Sequence, residues 1–193
     1  MYRLSFLFLL LCLSACGSQQ SSLVYAPGVP VQGPKGPAVV AMGAAIDQRE
    51  DRSDWLGTIR GGYGNPLKTL HSDRPVPEVI ATAFSDGLAA RGLLAPAGKQ
   101  QFDLKVTILE FECNQYVRRD AHANFRVTLL QNGSGRQIYS NEVKIDKLSG
   151  SLIVLDIGVF ASLDDLRDLL LKTLDQAVDE ALDNPDFRAA VAQ

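Results

Sequence analysis

The sequence has few of the residues that crosslink proteins or carry out catalysis. Its 193 residues include three cysteines, two histidines and one tryptophan. Cys12 and Cys16 lie in the first 16 residues, which leaves Cys113 as the one cysteine in the body of the chain. A lone thiol cannot form an internal disulfide, so we expect burial of apolar side chains to stabilise the core instead.

Metal and phosphate motifs are also missing. Neither His71 nor His122 has cysteine, histidine or carboxylate partners at the spacing of zinc sites, so no metal or other cofactor is predicted. Gly61, Gly62 and Gly64 match neither a dinucleotide fingerprint nor a phosphate-binding loop, and we expect them to form turns. No serine lies in a strained-elbow motif. These absences predict a protein that is not an enzyme.

Two pairs of residues leave catalysis as an alternative to this prediction. Cys113 and His122 could act as nucleophile and base if the fold brought them together. The apolar alternation around Cys113 favours a buried structural cysteine instead. Glu110 and Glu112, two residues apart on one strand face, are spaced like a paired-carboxylate site. Two such carboxylates on a hydrated strand are more often plain surface.

Positive charge is not concentrated anywhere along the chain. The formal net charge is −3, and the sequence contains no block of Lys and Arg. A mildly acidic chain of this kind is not expected to bind nucleic acid or the headgroups of anionic lipids.

The chain begins with an apolar leader that is too short to span a membrane. Arg3 precedes an apolar run over residues 4–13, well below the roughly 20 residues of a spanning helix, and this order is typical of a signal peptide. The motif Leu13-Ser14-Ala15-Cys16 resembles the lipobox of bacterial lipoproteins. The resemblance implies that residues 1–15 are removed as a signal peptide and that the Cys16 thiol is lipidated. An ordinary secretory signal is the alternative. Gly17 follows in place of Asp, which by the enterobacterial sorting rule implies the outer membrane, facing the periplasm.

The mature chain is predicted to consist of a tether and one domain. Residues 16–37 are rich in Pro and Gly, and the four prolines at 27, 30, 34 and 37 disfavour both helix and sheet. We therefore expect an extended tether that begins at the lipidated Cys16. Residues 38–193 have the length of one ordinary domain.

Hydrophobic periodicity predicts an α+β fold in the order β-α-β-β-β-α. About four strands form a largely antiparallel sheet, and two long helices pack on one of its faces. A change of parity predicts a bulge near Ile108, and Ser162 with Asp165 predicts a capping box. The predicted strands are 38–46, 102–113, 121–129 and 136–147, and the predicted helices are 77–91 and 162–184.

The remaining segments carry weaker signals. The first strand looks buried on both sides, and the mixed-charge run 47–52 after it is expected in water. Residues 53–75 are predicted as a long irregular connection. The apolar residues 152–160 could be a core crossover or an exposed contact. Asp175, Asp179 and Asp183 share one ridge of the last long helix, which suits a solvated face or a docking surface for a basic partner.

The order of these features resembles the YajG-like uncharacterised lipoproteins of the bacterial envelope. The resemblance depends on Cys16, Asp47-Gln48-Arg49, the helix ending Ala89-Ala90-Arg91-Gly92 before Leu93, and the closing helix. It implies an outer-membrane protein with no assigned activity, attached to the membrane by lipid on Cys16. We expect a structural, assembly or partner-binding role with an envelope protein. The alternative is an auxiliary lipoprotein subunit of a lipid or lipopolysaccharide transport system.

Overall fold

The computed structural model describes residues 17–27, 37–51, 53–149 and 161–193. Cys16 and the leader lie outside these ranges, as do the proline-rich residues 28–36 and the apolar residues 152–160. Within the described ranges no helix is long and apolar enough to cross a membrane.

The described residues form one sheet of seven strands and three helices. The strands are β1 (Gly17–Ser21), β2 (Val40–Asp47), β3 (Trp55–Arg60), β4 (Pro66–Ser72), β5 (Phe102–Gln115), β6 (Arg119–Gln131) and β7 (Gln137–Ser149). The helices are α1 (Val76–Ala90), α2 (Leu163–Asp183) and α3 (Pro185–Val191). The fold is α+β as predicted, but the expected four-stranded sheet and its strand order are wrong.

The sheet is built on the predicted antiparallel meander of β5, β6 and β7. The strand order is β1-β4-β3-β5-β6-β7, with β2 also paired to β5. Strand β2 runs parallel to the first half of β5 and β3 runs parallel to its end, so both share one edge of β5. The register shifts between Ile108 and Glu110, which confirms the predicted bulge.

Strands β3 and β4 form an antiparallel hairpin where an irregular connection was predicted. Gly57 explains the difference, because a Cβ atom there would lie 1.8 Å from the carbonyl oxygen of Cys113. The glycine therefore permits close approach of β3 to β5, and in the sequence it resembles a loop residue. The turn predicted from the other glycines is confirmed, with Gly64 at φ 81° and its amide donating to the Gly61 carbonyl at 2.8 Å.

Strand β2 is not buried on both sides as predicted. Within the described part of the chain its one strand partner is β5, so β2 lies at an edge, and Gly43, Ala44 and Ile46 are exposed. Apolar composition alone does not distinguish an edge strand of small residues from a central one.

The helices cover one face of the sheet, as predicted. Rings of Phe84 on α1 and Phe125 on β6 meet edge to face at 5.9 Å, and α2 packs on β6 and β7. Helix α1 ends before Gly92, which has the predicted left-handed conformation (φ 67°). Ser162 caps α2 by accepting from the Asp164 amide at 3.1 Å. The Asp165 carboxylate forms an ion pair with Arg119, at 3.1 Å from Nη2. This ion pair takes the place of the hydrogen bond to the Ser162 amide that the predicted capping box requires of Asp165.

The mixed-charge run is not wholly in water. Arg49 is buried, and its guanidinium holds the Asp47 carboxylate through Nε at 3.0 Å and Nη2 at 2.9 Å. It also donates to the carbonyl oxygens of Ser53 (2.8 Å), Trp55 (3.1 Å) and Phe111 (3.3 Å). These carbonyls lie where β2 and β3 diverge along β5, and the buried arginine satisfies them.

Candidate functional site

Strand β1 joins the residue after the lipobox-like motif directly to the sheet. Gly17 pairs with Lys68, and the whole of β1 runs parallel to β4. The amide of the Gln19 side chain donates to Asp164 Oδ1 at the start of α2, at 3.0 Å. Residues 17–21 therefore form a strand inside the segment predicted to be an extended tether. The sequence has no proline before Pro27, so this first part of the segment is free to make the hydrogen bonds of a strand.

Residues 22–26 continue from β1 across the outer side of helix α2. Arg167 Nε donates to the Ser22 carbonyl at 3.2 Å, and the Ala26 amide donates to Asp175 Oδ1 at 3.0 Å. Leu23 and Tyr25 are buried between these contacts. The chain is thus held to the domain for ten residues after Cys16.

The buried guanidinium of Arg91 connects this segment to both long helices. Arg91 is 1 % exposed and binds Asp183 in two places, Nε to Oδ1 at 2.8 Å and Nη2 to Oδ2 at 2.6 Å. It also reaches Asp179 at 2.9 Å, the Gly87 carbonyl at 3.1 Å and the Tyr25 hydroxyl at 3.2 Å. Tyr25 in turn donates to Asp179 at 2.5 Å. We call Arg91, Asp179, Asp183 and Tyr25 the arginine cluster.

The electrostatics of the arginine cluster keep it charged. Burial opposes the charge of Arg91, but hydrogen bonds to Asp183, Tyr25 and Asp179 outweigh it and raise the pKa of Arg91. Burial and the hydrogen bond to Asp179 raise the pKa of Tyr25 to about 12. The hydrogen bond from Arg91 lowers the pKa of Asp183. A permanent ion pair with a neutral phenol suits a structural role, because proton transfer needs groups that titrate near working pH.

The acidic ridge of α2 is occupied by the chain itself. Asp175 binds the Ala26 amide, while Asp179 and Asp183 bind Arg91. Burial raises the pKa of Asp175, as expected for a carboxylate covered by another segment. All three carboxylates of the ridge therefore have partners within the chain, while the side chain of Asp183 is still 52% exposed.

Cys113 and His122 do not form a catalytic pair. Cys113 pairs with Ala121 and points into the core, so the next residue of β6, His122, lies on the opposite face of the sheet. Cys113 Sγ lies 3.5 Å from the Leu56 carbonyl oxygen, and burial raises the pKa of the thiol. A buried neutral thiol is a poor nucleophile.

His122 is held between carboxylates on the open face of the sheet. Its Nδ1 lies 2.6 Å from Asp146 Oδ1, and its Nε2 lies 3.1 Å from Asp120 Oδ2. Partial burial opposes protonation, but the Asp146 hydrogen bond, the charge of Glu110 and the Asp120 hydrogen bond outweigh it and raise the pKa of His122. Among the described residues, no group of three or more potential ligands is arranged to hold a metal ion.

Glu110 and Glu112 share one face, as their spacing predicts, and line a cavity of about 360 Å³. Arg49, Trp55 and Asn124 also line it. Burial, followed by the charge of Glu110, raises the pKa of Glu112. The cavity is open and mostly polar, which suits contact with a polar surface. The other histidine of the sequence, His71, lies 3.1 Å from Asp54 Oδ1 on the exposed surface.

Sequence reasoning missed β1 and both buried arginines. A usable signal for β1 was the absence of proline before Pro27. The spacing of Asp47 and Arg49 was a usable signal too, because two side chains separated by two residues can form an ion pair with each other. Nothing local marks Arg91, because its carboxylate partners lie 88 and 92 residues away.

Comparison with known proteins shows the fold. No family model matches the chain, and no curated protein matches it. The protein XCC0632 from Xanthomonas campestris, described with the family model DUF330, has a TM-score of 0.67 at 12% identity and covers 89% of this chain and 96% of its own. An uncharacterised protein has a TM-score of 0.56 at 11% identity, covering 86% and 96%. A putative lipoprotein from Caulobacter crescentus reaches only 0.37 at 11% identity, covering 58% and 77%, which is too distant to support an argument.

Proposed function

We propose that the protein is a lipid-anchored envelope lipoprotein that binds other envelope components and has no catalytic activity. The observation that carries the proposal is the lipobox-like motif ending at Cys16, followed at once by a strand that belongs to the domain. Lipid on Cys16 would hold this domain permanently at a membrane, because several acyl chains together give stable binding.

The geometry of the candidate residues favours binding over catalysis. The thiol of Cys113 is buried, both ring nitrogens of His122 are engaged, and Arg91 is fully paired. Each group that the sequence suggested for chemistry has a structural partner in the fold. This arrangement supports a protein that acts through its surface.

The open face of β5, β6 and β7 is the surface that we assign to an envelope protein partner. The helices cover the other face, whereas this face carries cross-strand polar pairs and the cavity beside Trp55. Asn124 donates to Glu142 at 2.9 Å, and Thr128 lies 3.1 Å from Ser140 between hydroxyl oxygens. A non-obligate interface has about the same share of polar surface as the rest of a protein, so a polar face of this kind suits such a contact.

We assign the protein to the outer membrane, facing the periplasm, and to the YajG-like lipoproteins. Gly17 after Cys16 and the order of the motifs support both assignments. The alternative, an auxiliary subunit of a lipid or lipopolysaccharide transport system, is compatible with the same fold. Because the cavity beside Trp55 is polar, such a subunit would contact the transporter's proteins and not carry acyl chains there. Co-purification of a transporter subunit in fixed ratio would favour this alternative.

Replacement of Cys16 tests the proposal. In cells fed labelled palmitate, Cys16→Ser should accumulate as an uncleaved precursor without label, because the thiol that accepts lipid is gone. Cys113→Ala is the matched control, and it should be cleaved and labelled like the parent. Label retained in the Cys16→Ser protein would contradict the proposal.

A further inference from the structure

One end of the sheet is defined by a single transverse row of paired residues. The pairing runs from β1 through β4, β3, β5 and β6 to β7. The row consists of Gly17, Lys68, Ile59, Gln115, Arg119 and Ser149. Five spacings between strands give it a width of about 24 Å. Beyond it lie the β3–β4 turn and the β5–β6 turn, which touch where Tyr116 Oη donates to the Gly62 carbonyl at 3.0 Å. We call this end the tip of the sheet.

Exposed apolar side chains concentrate at the tip. Six large apolar side chains are exposed among the described residues; three of them lie in the turns beyond the row, and a fourth, Leu148, is next to Ser149 in the row. Tyr63, in the glycine-rich turn, is fully exposed, while Tyr116, Val117 and Leu148 are 51%, 59% and 72% exposed. A cluster of exposed apolar groups at one place marks an interaction surface, whereas scattered ones need no explanation.

The tip is also basic, although the chain as a whole is acidic. At equal depth across the strands, residues 57–70, 113–121 and 147–149 contain five Arg and Lys residues and a single acidic residue, Asp120. Arg60 and Arg118 are exposed, while Arg119 is paired with Asp165 on α2 at 3.1 Å. The sequence shows no basic block because these residues come from three separate segments. The fold brings them to one end.

The tip lies beside the point where the lipid would be attached. Gly17 belongs to the row that bounds the tip, and one peptide unit, about 3.8 Å between Cα atoms, separates it from Cys16. Tyrosine side chains favour the boundary between membrane and water, and basic side chains favour lipid phosphates. The position of the tip, its tyrosines and its positive charge therefore all indicate contact with a phospholipid surface.

We infer that the tip of the sheet rests on the phospholipid headgroups of the membrane that holds the anchor. Tyr63, Tyr116, Val117 and Leu148 enter the interfacial layer, and Arg60 and Arg118 face lipid phosphates. The domain then has one fixed orientation, with its strands directed away from the membrane and the open face at the side. This inference rests on the proposed lipidation of Cys16.

A tryptophan placed at the tip tests the inference in the full lipidated protein. Tyr63→Trp and Val24→Trp are compared in vesicles of phosphatidylcholine and phosphatidylglycerol, with some phospholipid brominated near the top of its acyl chains. Val24 is the matched control, because it is also exposed (63%) but lies seven residues, roughly 23 Å of extended chain, beyond Gly17. Trp55 gives the same background in both proteins. We expect bromine to quench the added emission of the Tyr63→Trp protein strongly and to leave that of the Val24→Trp protein unchanged.

Each other outcome has a distinct meaning. Equal quenching in both variants, or quenching in neither, would overturn the fixed orientation. Blue-shifted but unquenched emission from the Tyr63→Trp protein would overturn the lipid contact in favour of a protein surface, including a second copy of the chain. Adding Arg60→Glu and Arg118→Glu to the Tyr63→Trp protein should reduce its quenching. Unchanged quenching would contradict the contact of these two arginines with lipid phosphates. Protein that fails to float with the vesicles would instead show that the lipid anchor is absent, which is a failure of the proposed function.

Discussion

At the scale of single residues, His122 makes the stability of the sheet depend on pH. Its ring faces Asp146 on β7 and Asp120 on its own strand. The other charges near it are Glu110 and Glu112 on β5 and Lys144 on β7, which lies 3.8 Å from Asp146 and 4.0 Å from Glu110. The folded-state pKa of His122 is raised above its usual 6.5. Protonation therefore stabilises the fold fully below about pH 6.5, and this contribution is lost as the pH rises through the folded-state pKa.

We expect His122→Gln to reduce this pH dependence. Glutamine keeps the ability to hydrogen bond but carries no charge, so the variant should lose less stability than the parent between about pH 6 and about pH 9. The difference should be below about 1 kcal/mol, because the pair is at the surface. Urea denaturation at both pH values measures it. Parallel losses in the two proteins would show that the imidazolium contributes nothing.

The burial of two arginines could not be predicted from the sequence around them. Charged residues are usually solvated, and the mixed-charge run that contains Arg49 was expected in water. Arg49 is buried because nearby carbonyl oxygens and Asp47 satisfy it, and Arg91 is buried because α2 supplies two carboxylates. Such pairings depend on tertiary structure, which no local pattern contains.

At the scale of elements, the strands and helices with a full apolar pattern were predicted well. The meander β5–β7, the bulge near Ile108 and both long helices follow from alternation and helical spacing. Strands β1, β3 and β4 were missed, because β1 has the polar sequence Gly-Ser-Gln-Gln-Ser and β3 contains Gly57. These strands form because they can pair with the edge of an existing sheet. Their formation therefore depends on the neighbouring strand, and their own sequence does not predict it.

We expect Gly57→Ala to destabilise the protein severely. Its Cβ atom would lie 1.8 Å from the Cys113 carbonyl oxygen, so β3 must move away from β5. The cost should be about 3 kcal/mol or more, as for other overpacked sites. Gly62→Ala is the matched control, because its Cβ atom would meet nothing within 4 Å. Thermal unfolding compares the two, and similar melting temperatures would mean that the strands are not in close contact.

At the scale of the whole molecule, the arginine cluster joins the beginning of the described chain to its last long helix. Tyr25 follows β1, Arg91 follows α1, and Asp179 and Asp183 belong to α2. The cluster therefore holds Tyr25 to the domain, within the segment that the sequence predicts to be an extended tether.

We expect Arg91→Met to destabilise the fold and to release residues 22–26. Loss of one partner from a buried ion pair costs about 3–5 kcal/mol, and the lower end applies because the Asp183 side chain is 52% exposed. Arg126→Met, which removes an exposed pair with Glu142, is the matched control and should cost less than about 1 kcal/mol. Urea denaturation and limited proteolysis measure both effects. An equal response of the two variants would contradict a structural role for the cluster.

The contacts of residues 17–26 also set the order in which the chain becomes fixed. Gln19 and Tyr25 bind residues 145 and 154 positions later, so these contacts form only after nearly the whole chain has been delivered. Contacts across so long a separation close late, and the proposed export would present the N-terminal end first. During that interval Gln19 and Tyr25 lack these partners, although β4, the strand partner of β1, is already present. The arrival of α2 then completes the contacts that hold residues 17–26 to the domain.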